Sequence, residues 1–192
     1  AKLVWSPLSN FLLYGRTADV RAAKESSVAL SIAPDWAPSG SKSVLGELKV
    51  ADLVNRRQLG GLFSDRELVE MVTRNPARAL GWQHRLGQVA PGFLADLLVV
   101  DSRAADADRN LIVSTEENVR LVIVRGDALY GDSALLQRTR GSTSDTEPVP
   151  LFGERRSKSI AATCPATRLP AVSLREVGER LQAGLQFDGA FA

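Results

Sequence analysis

The chain has 192 residues, of which 44% are hydrophobic and 24% are charged, a composition typical of a globular protein. Its formal net charge of +2 does not favour a nucleic acid or a membrane surface as partner. A single Cys excludes an internal disulfide, and a single His excludes a metal centre built from several histidines of this chain alone. No apolar run approaches the roughly 20 residues that a membrane-spanning helix needs, and we expect a cytoplasmic protein.

The first part of the chain predicts an alternation of strands and helices. In order, the predicted elements are a strand at 3–6 that Pro7 ends, a polar loop at 6–10, a helix from Thr17 or Asp19 to Lys24, a strand at 28–32, a loop at 36–43 and a helix at 44–56. Both strands are apolar throughout, as in a parallel sheet covered on both faces. This indicates two βα units, whereas a closed barrel of such units has eight.

The remainder predicts shorter elements. Ser64 and Glu67 have the spacing of a capping box, and Gly81 is expected to end a short helix at 76–80. The pattern then predicts strands at 97–100 and 119–124 in an all-β element, a turn at Gly126-Asp127, a loop or linker at 138–150, a strand at 157–164 and an amphipathic helix at 174–185.

The chain begins with an apolar segment. Ala1 is followed at once by Lys2-Leu3-Val4-Trp5, with no Met, no signal-peptide pattern and no polar arm before it. Such a start is expected of a piece of a longer polypeptide. It also fits a native protein whose first strand lies at its terminus.

Three stretches together resemble the amidohydrolase superfamily, in its cytosine deaminase and chlorohydrolase-like branch. Residues 6–10 are similar to the loop after the family's seventh barrel strand. Residues 33–42, with Glu47-Leu48-Lys49 behind them, are similar to the eighth strand with its catalytic Asp. Residues 75–81 followed by 86–101 are similar to the passage from the barrel into a small β domain.

The resemblance implies an α/β fold, with the last two βα units of a TIM-type barrel and part of a small β-sandwich domain. Residues 1–82 would form the barrel part, 83–137 the small β domain and 138–192 a linker and C-terminal extension. The family's metal ligands are a His-x-His pair and two further histidines on earlier strands, with an Asp on the eighth. Only the Asp would be present here, as Asp35, which favours a C-terminal part of a longer enzyme. Alone, this part would hold no metal tightly and would be inactive.

The candidate site residues lie in the first two stretches. By the resemblance, Asp35 would be both a ligand of a divalent metal, zinc or iron, and the base for the attacking water. Ser9 and Asn10 would contact the substrate, Trp36 would form an apolar wall and Ser39 a polar rim. Simpler interpretations are a loop carboxylate or helix cap for Asp35, turn caps for Ser9 and Asn10, core packing for Trp36 and an ordinary loop for Ser39.

Three other features have weaker functional interpretations. His84 is expected at the surface or between domains and not on a metal. Cys164 is expected to be a structural or incidental thiol. The basic cluster Arg155-Arg156-Ser157-Lys158 is expected to be a solvated face.

The function implied by the resemblance is hydrolysis, by a metal-activated water, of a carbon–nitrogen bond other than a peptide bond. The substrate would be a small cyclic or amidine-like molecule. The other expected partner is the missing N-terminal half of the barrel or a second copy of the chain, in a homo-oligomer. Two alternatives stay open: a barrel-derived module that works by binding or assembly, and one chain of an enzyme built from two.

Overall fold

The computed structural model describes residues 1–141, 145–149, 157–163 and 173–187. The chain is mixed α/β and divides into two compact units. The first unit comprises Ala1–Leu94 with Val100–Asn118, and the second comprises Ala95–Val99 with Val119–Ala192. The chain therefore passes from one unit to the other three times.

The first unit is built on a pair of parallel strands. Its elements are β1 (Lys2–Trp5), α1 (Pro7–Tyr14), α2 (Val20–Glu25), β2 (Ala29–Ile32), α3 (Val44–Arg57), α4 (Asp65–Glu70), α5 (Arg74–Ala79) and α6 (Ala107–Val113). β1 and β2 pair in parallel, with Lys2 opposite Ala29 and Trp5 opposite Ile32. The core collects apolar side chains from the strands, the helices and the loop before α4: Trp5, Val20, Leu30, Ile32, Leu48, Ala51, Val54, Phe63, Leu68, Met71 and Ile112.

Helix α1 corrects the prediction of a polar loop at 6–10. The helix begins at Pro7, whose fixed φ suits the first turn and whose missing N–H would have had no partner within the helix. It ends at Gly15, which adopts a left-handed φ of 66° and donates its N–H to the Phe11 carbonyl. Pro7 therefore marks a direct change from strand to helix.

The predicted starts of α2, α3 and α4 are confirmed, whereas the short helix predicted at 76–80 is α5, which begins two residues earlier at Arg74. The Asp19 side chain caps α2 by accepting a backbone N–H. Ser64 and Glu67 form the predicted capping box at the start of α4. The long helix predicted at 44–56 is α3, which is one residue longer.

Helix α6 lies where the sequence predicts only strands and turns. It packs against α3 and α4 and buries Ile112 completely. Arg109 donates to both carboxylate oxygens of Asp65 and, at 3.0 Å, to Asp52 Oδ2. The prediction of an all-β element after residue 83 is therefore wrong over α6, which belongs to the first unit.

The second unit is a sheet with helices beside it. Its described elements are β3 (Leu97–Val100), β4 (Val119–Val124), β5 (Asp127–Asp132), α7 (Ser133–Arg140), β6 (Thr146–Val149), β7 (Lys158–Ala161) and α8 (Leu174–Phe187). The strand order is β3-β4-β5-β7-β6. The turn predicted at Gly126-Asp127 lies one residue earlier, at Arg125-Gly126, whose φ values are 52° and 93°, and Asp127 begins β5.

Regular structure replaces much of the predicted linker at 138–150. α7 continues to Arg140, and β6 begins at Thr146. β6 lies at the edge of the sheet, where Pro148 and its missing N–H are tolerated. The predicted strand at 157–164 and amphipathic helix at 174–185 are confirmed as β7 and α8.

Lys158 corrects the prediction of a solvated basic cluster. Its side chain is buried, and its ammonium group donates to Asp132 Oδ1 at 2.8 Å. Arg155, Arg156 and Cys164 lie outside the described residues. Among the helices that are described, none has both the length and the apolar character to cross a bilayer.

Candidate active site

Polar side chains follow both parallel strands at the edge where the strands end. Ser9 lies in the first turn of α1, directly after β1, and Asp35 lies in the loop after β2. Because the two strands run in the same direction, both residues come to the carboxyl edge of the pair. The Ser9 hydroxyl donates a hydrogen bond to Asp35 Oδ2 at 2.8 Å. Active sites of parallel α/β folds lie at this edge, so the pair is the candidate site.

The Asp35 carboxylate is exposed, but two hydrogen bonds hold it. Besides the bond from Ser9, Oδ1 accepts the N–H of Trp36 at 2.8 Å. The Ser9 hydroxyl and then the Trp36 N–H lower the pKa of Asp35 below its ordinary value. Ser9 itself is buried, so the hydroxyl donor is part of the packed protein while the carboxylate meets solvent. Asp35 is therefore ionised at neutral pH.

The loop after Asp35 folds back onto it. The N–H groups of Ser39 and Gly40 both donate to the Trp36 carbonyl, at 3.1 and 2.9 Å. A Cβ atom at Gly40 would lie 2.9 Å from the Asp35 nitrogen, so this turn requires glycine. Ser39 is buried, and among the described residues its hydroxyl has no hydrogen-bond partner. Its expected contact with a substrate stays a prediction.

Glu47, which the sequence does not assign to the site, connects the start of α1 to the loop after β2. It is fully buried in the first turn of α3. Its Oε1 accepts the N–H of Leu8 at 2.9 Å and the hydroxyl of Ser6 at 3.4 Å, and its Oε2 accepts the N–H of Ser41 at 3.3 Å. The Ser6 side chain makes no capping bond to α1. Glu47 therefore supplies an acceptor to one of the free N–H groups at the start of that helix, that of Leu8, and fixes the start of α1 relative to the loop after β2.

The helical spacing of α3 carries a signal for this role. Glu47 lies on the same helix face as Ala51 and Val54, both of which are buried. A carboxylate on an apolar face is costly unless nearby donors pair with it. The spacing could therefore have marked Glu47 as a buried acceptor, but it could not have identified the donors.

Asn10 and Trp36 have different surroundings. The Asn10 carbonyl oxygen accepts the Thr17 hydroxyl and the Ala18 N–H, both at 3.3 Å, and so organises the connection from α1 to α2. This oxygen has the turn-capping role named as the simpler interpretation. Trp36 is 69% exposed, which excludes core packing. Substrate contacts from either residue stay predictions.

The donor chemistry of Asp35 fits one position of a divalent-metal site. Both carboxylate oxygens keep a lone pair beyond the hydrogen bonds described above. Across the described ranges, no group of three or more His, Cys, Asp or Glu side chains could hold a metal ion. His84, the chain's one histidine, lines a recess with Arg74 and Arg78 that does not include Asp35.

Comparisons with known proteins match most of the chain to one family. A sequence model of the amidohydrolase family matches residues 2–129. The 5-methylthioadenosine/S-adenosylhomocysteine deaminase of Pyrococcus abyssi is 29% identical over 146 residues, which are 71% of this chain and 34% of the relative. The imidazolonepropionase of Aeromonas salmonicida is 31% identical over 121 residues, 63% of this chain and 28% of the relative. The chain spans about a third of the length of the curated relatives it matches.

Solved structures share the fold. An adenosine deaminase from Xanthomonas campestris with bound zinc has a TM-score of 0.62 and 24% identity, over 73% of this chain and 36% of its own. The guanine deaminase of E. coli has a TM-score of 0.59 and 20% identity, over 68% of this chain and 34% of its own. A zinc complex of the atrazine chlorohydrolase of Arthrobacter aurescens has a TM-score of 0.55 and 24% identity, over 66% and 30%.

Proposed function

The chain belongs to the amidohydrolase family, and from this premise we propose that it forms part of a metal-dependent hydrolase. The enzyme would break a carbon–nitrogen bond, other than a peptide bond, in a small cyclic substrate. The observation that carries the proposal is the Ser9–Asp35 pair at the carboxyl edge of two parallel strands. The curated relatives named as deaminases of 5-methylthioadenosine and S-adenosylhomocysteine support the reaction class.

In this proposal Asp35 holds one position of the metal site and moves the proton. Zinc is bound in two solved structures of the same fold and is the metal we expect. Such a metal, when bound, lowers the pKa of a coordinated water to about 7. Asp35 accepts the proton of the attacking water on a carboxylate oxygen and returns it to the departing nitrogen. The water oxygen forms the new bond to carbon, and the nitrogen leaves with that proton.

The surrounding residues prepare Asp35 for this role. Ser9 is a positioning residue, because its hydroxyl orients the carboxylate and helps to keep it ionised. Glu47 acts one step further away by joining the start of α1, where Ser9 lies, to the loop after β2, where Asp35 lies. Trp36, next to Asp35 and largely exposed, offers an apolar surface to a substrate ring.

The rest of the site would come from other protein, either further βα units of the same barrel or a second copy of the chain. Two paired strands leave an unpaired edge on each outer side. Val4 of β1 is 61% exposed, and Leu12, Leu13 and Tyr14 of α1 are each more than half exposed. Burying such apolar surface is favourable by about 25 cal/mol per Å², so we propose that the missing units cover these side chains.

The test uses a longer polypeptide, which contains these 192 residues and also the part of the barrel that the relatives have and this sequence does not cover. Zinc-loaded protein would be assayed for ammonia release from amino-substituted heterocycles, including 5-methylthioadenosine, adenosine and guanine. Asp35→Asn keeps the size of the side chain but removes its charge and its basic oxygen. We expect turnover to fall by roughly 10²–10⁴ from loss of the base alone. The free energy of unfolding should change little because the side chain is exposed.

A matched control separates this effect from a general loss of aspartate. Asp106 is also exposed, and its carboxylate also accepts a backbone N–H, that of Arg109. Asp106→Asn should keep full turnover, since Asn is as good a helix cap as Asp. Near-normal turnover of Asp35→Asn, or an equal loss in both variants, would overturn the role proposed for Asp35.

A further inference from the structure

A recess of about 220 Å³ lies in the first unit, outside the Asp35 site. Its lining consists of Arg74, Arg78, Gln83, His84, Leu86 and Gln88. Five of these six side chains carry N–H groups, and none carries a carboxylate. The recess is therefore a concentration of hydrogen-bond donors on the protein surface.

The walls of the recess are closely fixed to each other. Gly87 has a φ of 93°, and a Cβ atom there would lie 2.9 Å from both the Thr73 carbonyl oxygen and the Ala77 Cβ. Only glycine therefore lets the 82–88 turn approach α5 so closely. The Trp82 N–H donates to the Ala77 carbonyl at 2.7 Å, and the Leu86 N–H donates to the Trp82 carbonyl at 3.0 Å. The donors on the turn are thus held against those on the helix.

The recess carries positive charge that is only partly neutralised. Arg74 and Arg78 are four residues apart on α5 and lie on the same side of the helix. Arg74 also forms an ion pair with Glu70 at 3.0 Å. The Arg78 side chain forms no hydrogen bond or ion pair within the described part of the chain, and the residue is exposed. Its guanidinium is therefore available to an incoming anion.

We propose that this recess binds a phosphate dianion, either free phosphate or the phosphate group of a small ester. A guanidinium can donate two parallel hydrogen bonds to phosphate oxygens, and such charge-assisted bonds are stronger than neutral ones. The Gln83, Gln88 and His84 side chains can donate to the remaining oxygens. The volume is below the roughly 300–1,000 Å³ of pockets for drug-sized ligands, so it suits a single anionic group. This inference does not depend on the proposed hydrolase activity.

The single histidine makes the test direct, because His84 gives the chain's one imidazole signal in NMR spectra. The 192-residue chain would be titrated with inorganic phosphate and, separately, with glycerol phosphate, at constant pH and ionic strength. We expect a saturable shift of the His84 signal with a Kd on the order of 1 mM. Arg78→Gln should weaken binding by about tenfold or more, because it removes a charge-assisted bond.

Arg57→Gln is the matched control, since Arg57 is also exposed and also lies in the last turn of its helix. It should bind phosphate as the unchanged chain does. A calorimetric titration of His84→Ala, with a far-ultraviolet circular dichroism spectrum as a check of folding, provides a second variant that should bind more weakly. A response to either phosphate compound supports the site, and their comparison identifies the free ion or the ester as the source. A shift that chloride reproduces, that does not saturate or that Arg78→Gln leaves unchanged would overturn the proposal.

Discussion

Replacing Glu47 with Gln tests whether one buried carboxylate holds the start of α1 to the loop after β2. A Gln side chain keeps one carbonyl oxygen but presents an NH₂ group where the second carboxylate oxygen was. It can therefore accept the N–H of Leu8 or that of Ser41, but not both. The other N–H loses its acceptor and faces a donor.

The expected magnitude follows from this loss. Leaving one buried donor without an acceptor costs about 1–3 kcal/mol. If the cost falls on the folded state of these two segments, the equilibrium constant for their local opening rises roughly 5- to 150-fold. Hydrogen exchange followed by mass spectrometry measures such local opening. Peptides that contain the amides of Leu8 and Ser41 should exchange faster by that factor, while peptides from the second unit should not change.

Glu25→Gln is the control for this experiment. Glu25 is an exposed residue of α2, and surface substitutions of this kind usually change stability by less than about 0.5 kcal/mol. Its exchange pattern should match that of the unchanged chain. Unaltered hydrogen exchange at the amides of Leu8 and Ser41 in the Glu47→Gln variant would show that Glu47 does not hold these two segments together.

Three further predictions follow from contacts in the first unit. Ser9→Ala should raise the pKa of Asp35 toward its ordinary value, because the Ser9 hydroxyl is the main cause of its lowering, and a carboxyl ¹³C titration would measure this. The stability linked to that lowered pKa is present above the unfolded-state pKa of Asp35 and is lost as the pH falls through the folded-state pKa, so Ser9→Ala should make unfolding less sensitive to acid. The purified 192-residue chain should retain far less than one zinc per molecule after dialysis, measured by elemental analysis, since Asp35 alone offers too few ligands. If the unchanged chain retained one zinc per molecule and the Asp35→Asn variant retained none, this prediction would be wrong. Arg109→Met should lower the free energy of unfolding, measured in urea, by about 1–3 kcal/mol, which is less than the roughly 3–5 kcal/mol lost when a fully buried ion pair is broken. The reason is that Asp52 is buried and would keep, among the described residues, only Arg56 as an ion-pair partner. An unchanged urea midpoint of unfolding would contradict this prediction.

The parts of the fold that the sequence predicts best have strong local signals. The apolar runs of β1 and β2 and the periodicity of α3 each show in a short window. The sequence does not predict α1, because Pro7 can end a strand as readily as it can begin a helix. α6 is short, and it is held in place by contacts with α3 and α4. A local sequence pattern does not reveal such contacts.

The candidate site shows the same division between local and long-range information. Asp35 could be predicted from the resemblance of its loop to a known family. Ser9 is predicted at the same site, as a substrate contact, but its hydrogen bond to Asp35 could not be predicted, because that bond depends on helix α1, where the sequence predicts a loop. Two of the three hydrogen bonds that Glu47 accepts come from residues 39 and 41 positions away in the sequence, and such pairings are decided only by the folded chain.

The three passages of the chain between the two units limit how this protein can be divided. A cut after Leu94 would leave α6, with Ile112 and Arg109, on the wrong piece. The first piece would then lack a core side chain and the cation that pairs with Asp52 and Asp65. A protease that nicks the chain there should yield two segments that stay associated under native conditions. For the same reason, a single recombination event could not exchange either unit as a whole, because each unit consists of two separate segments of the chain.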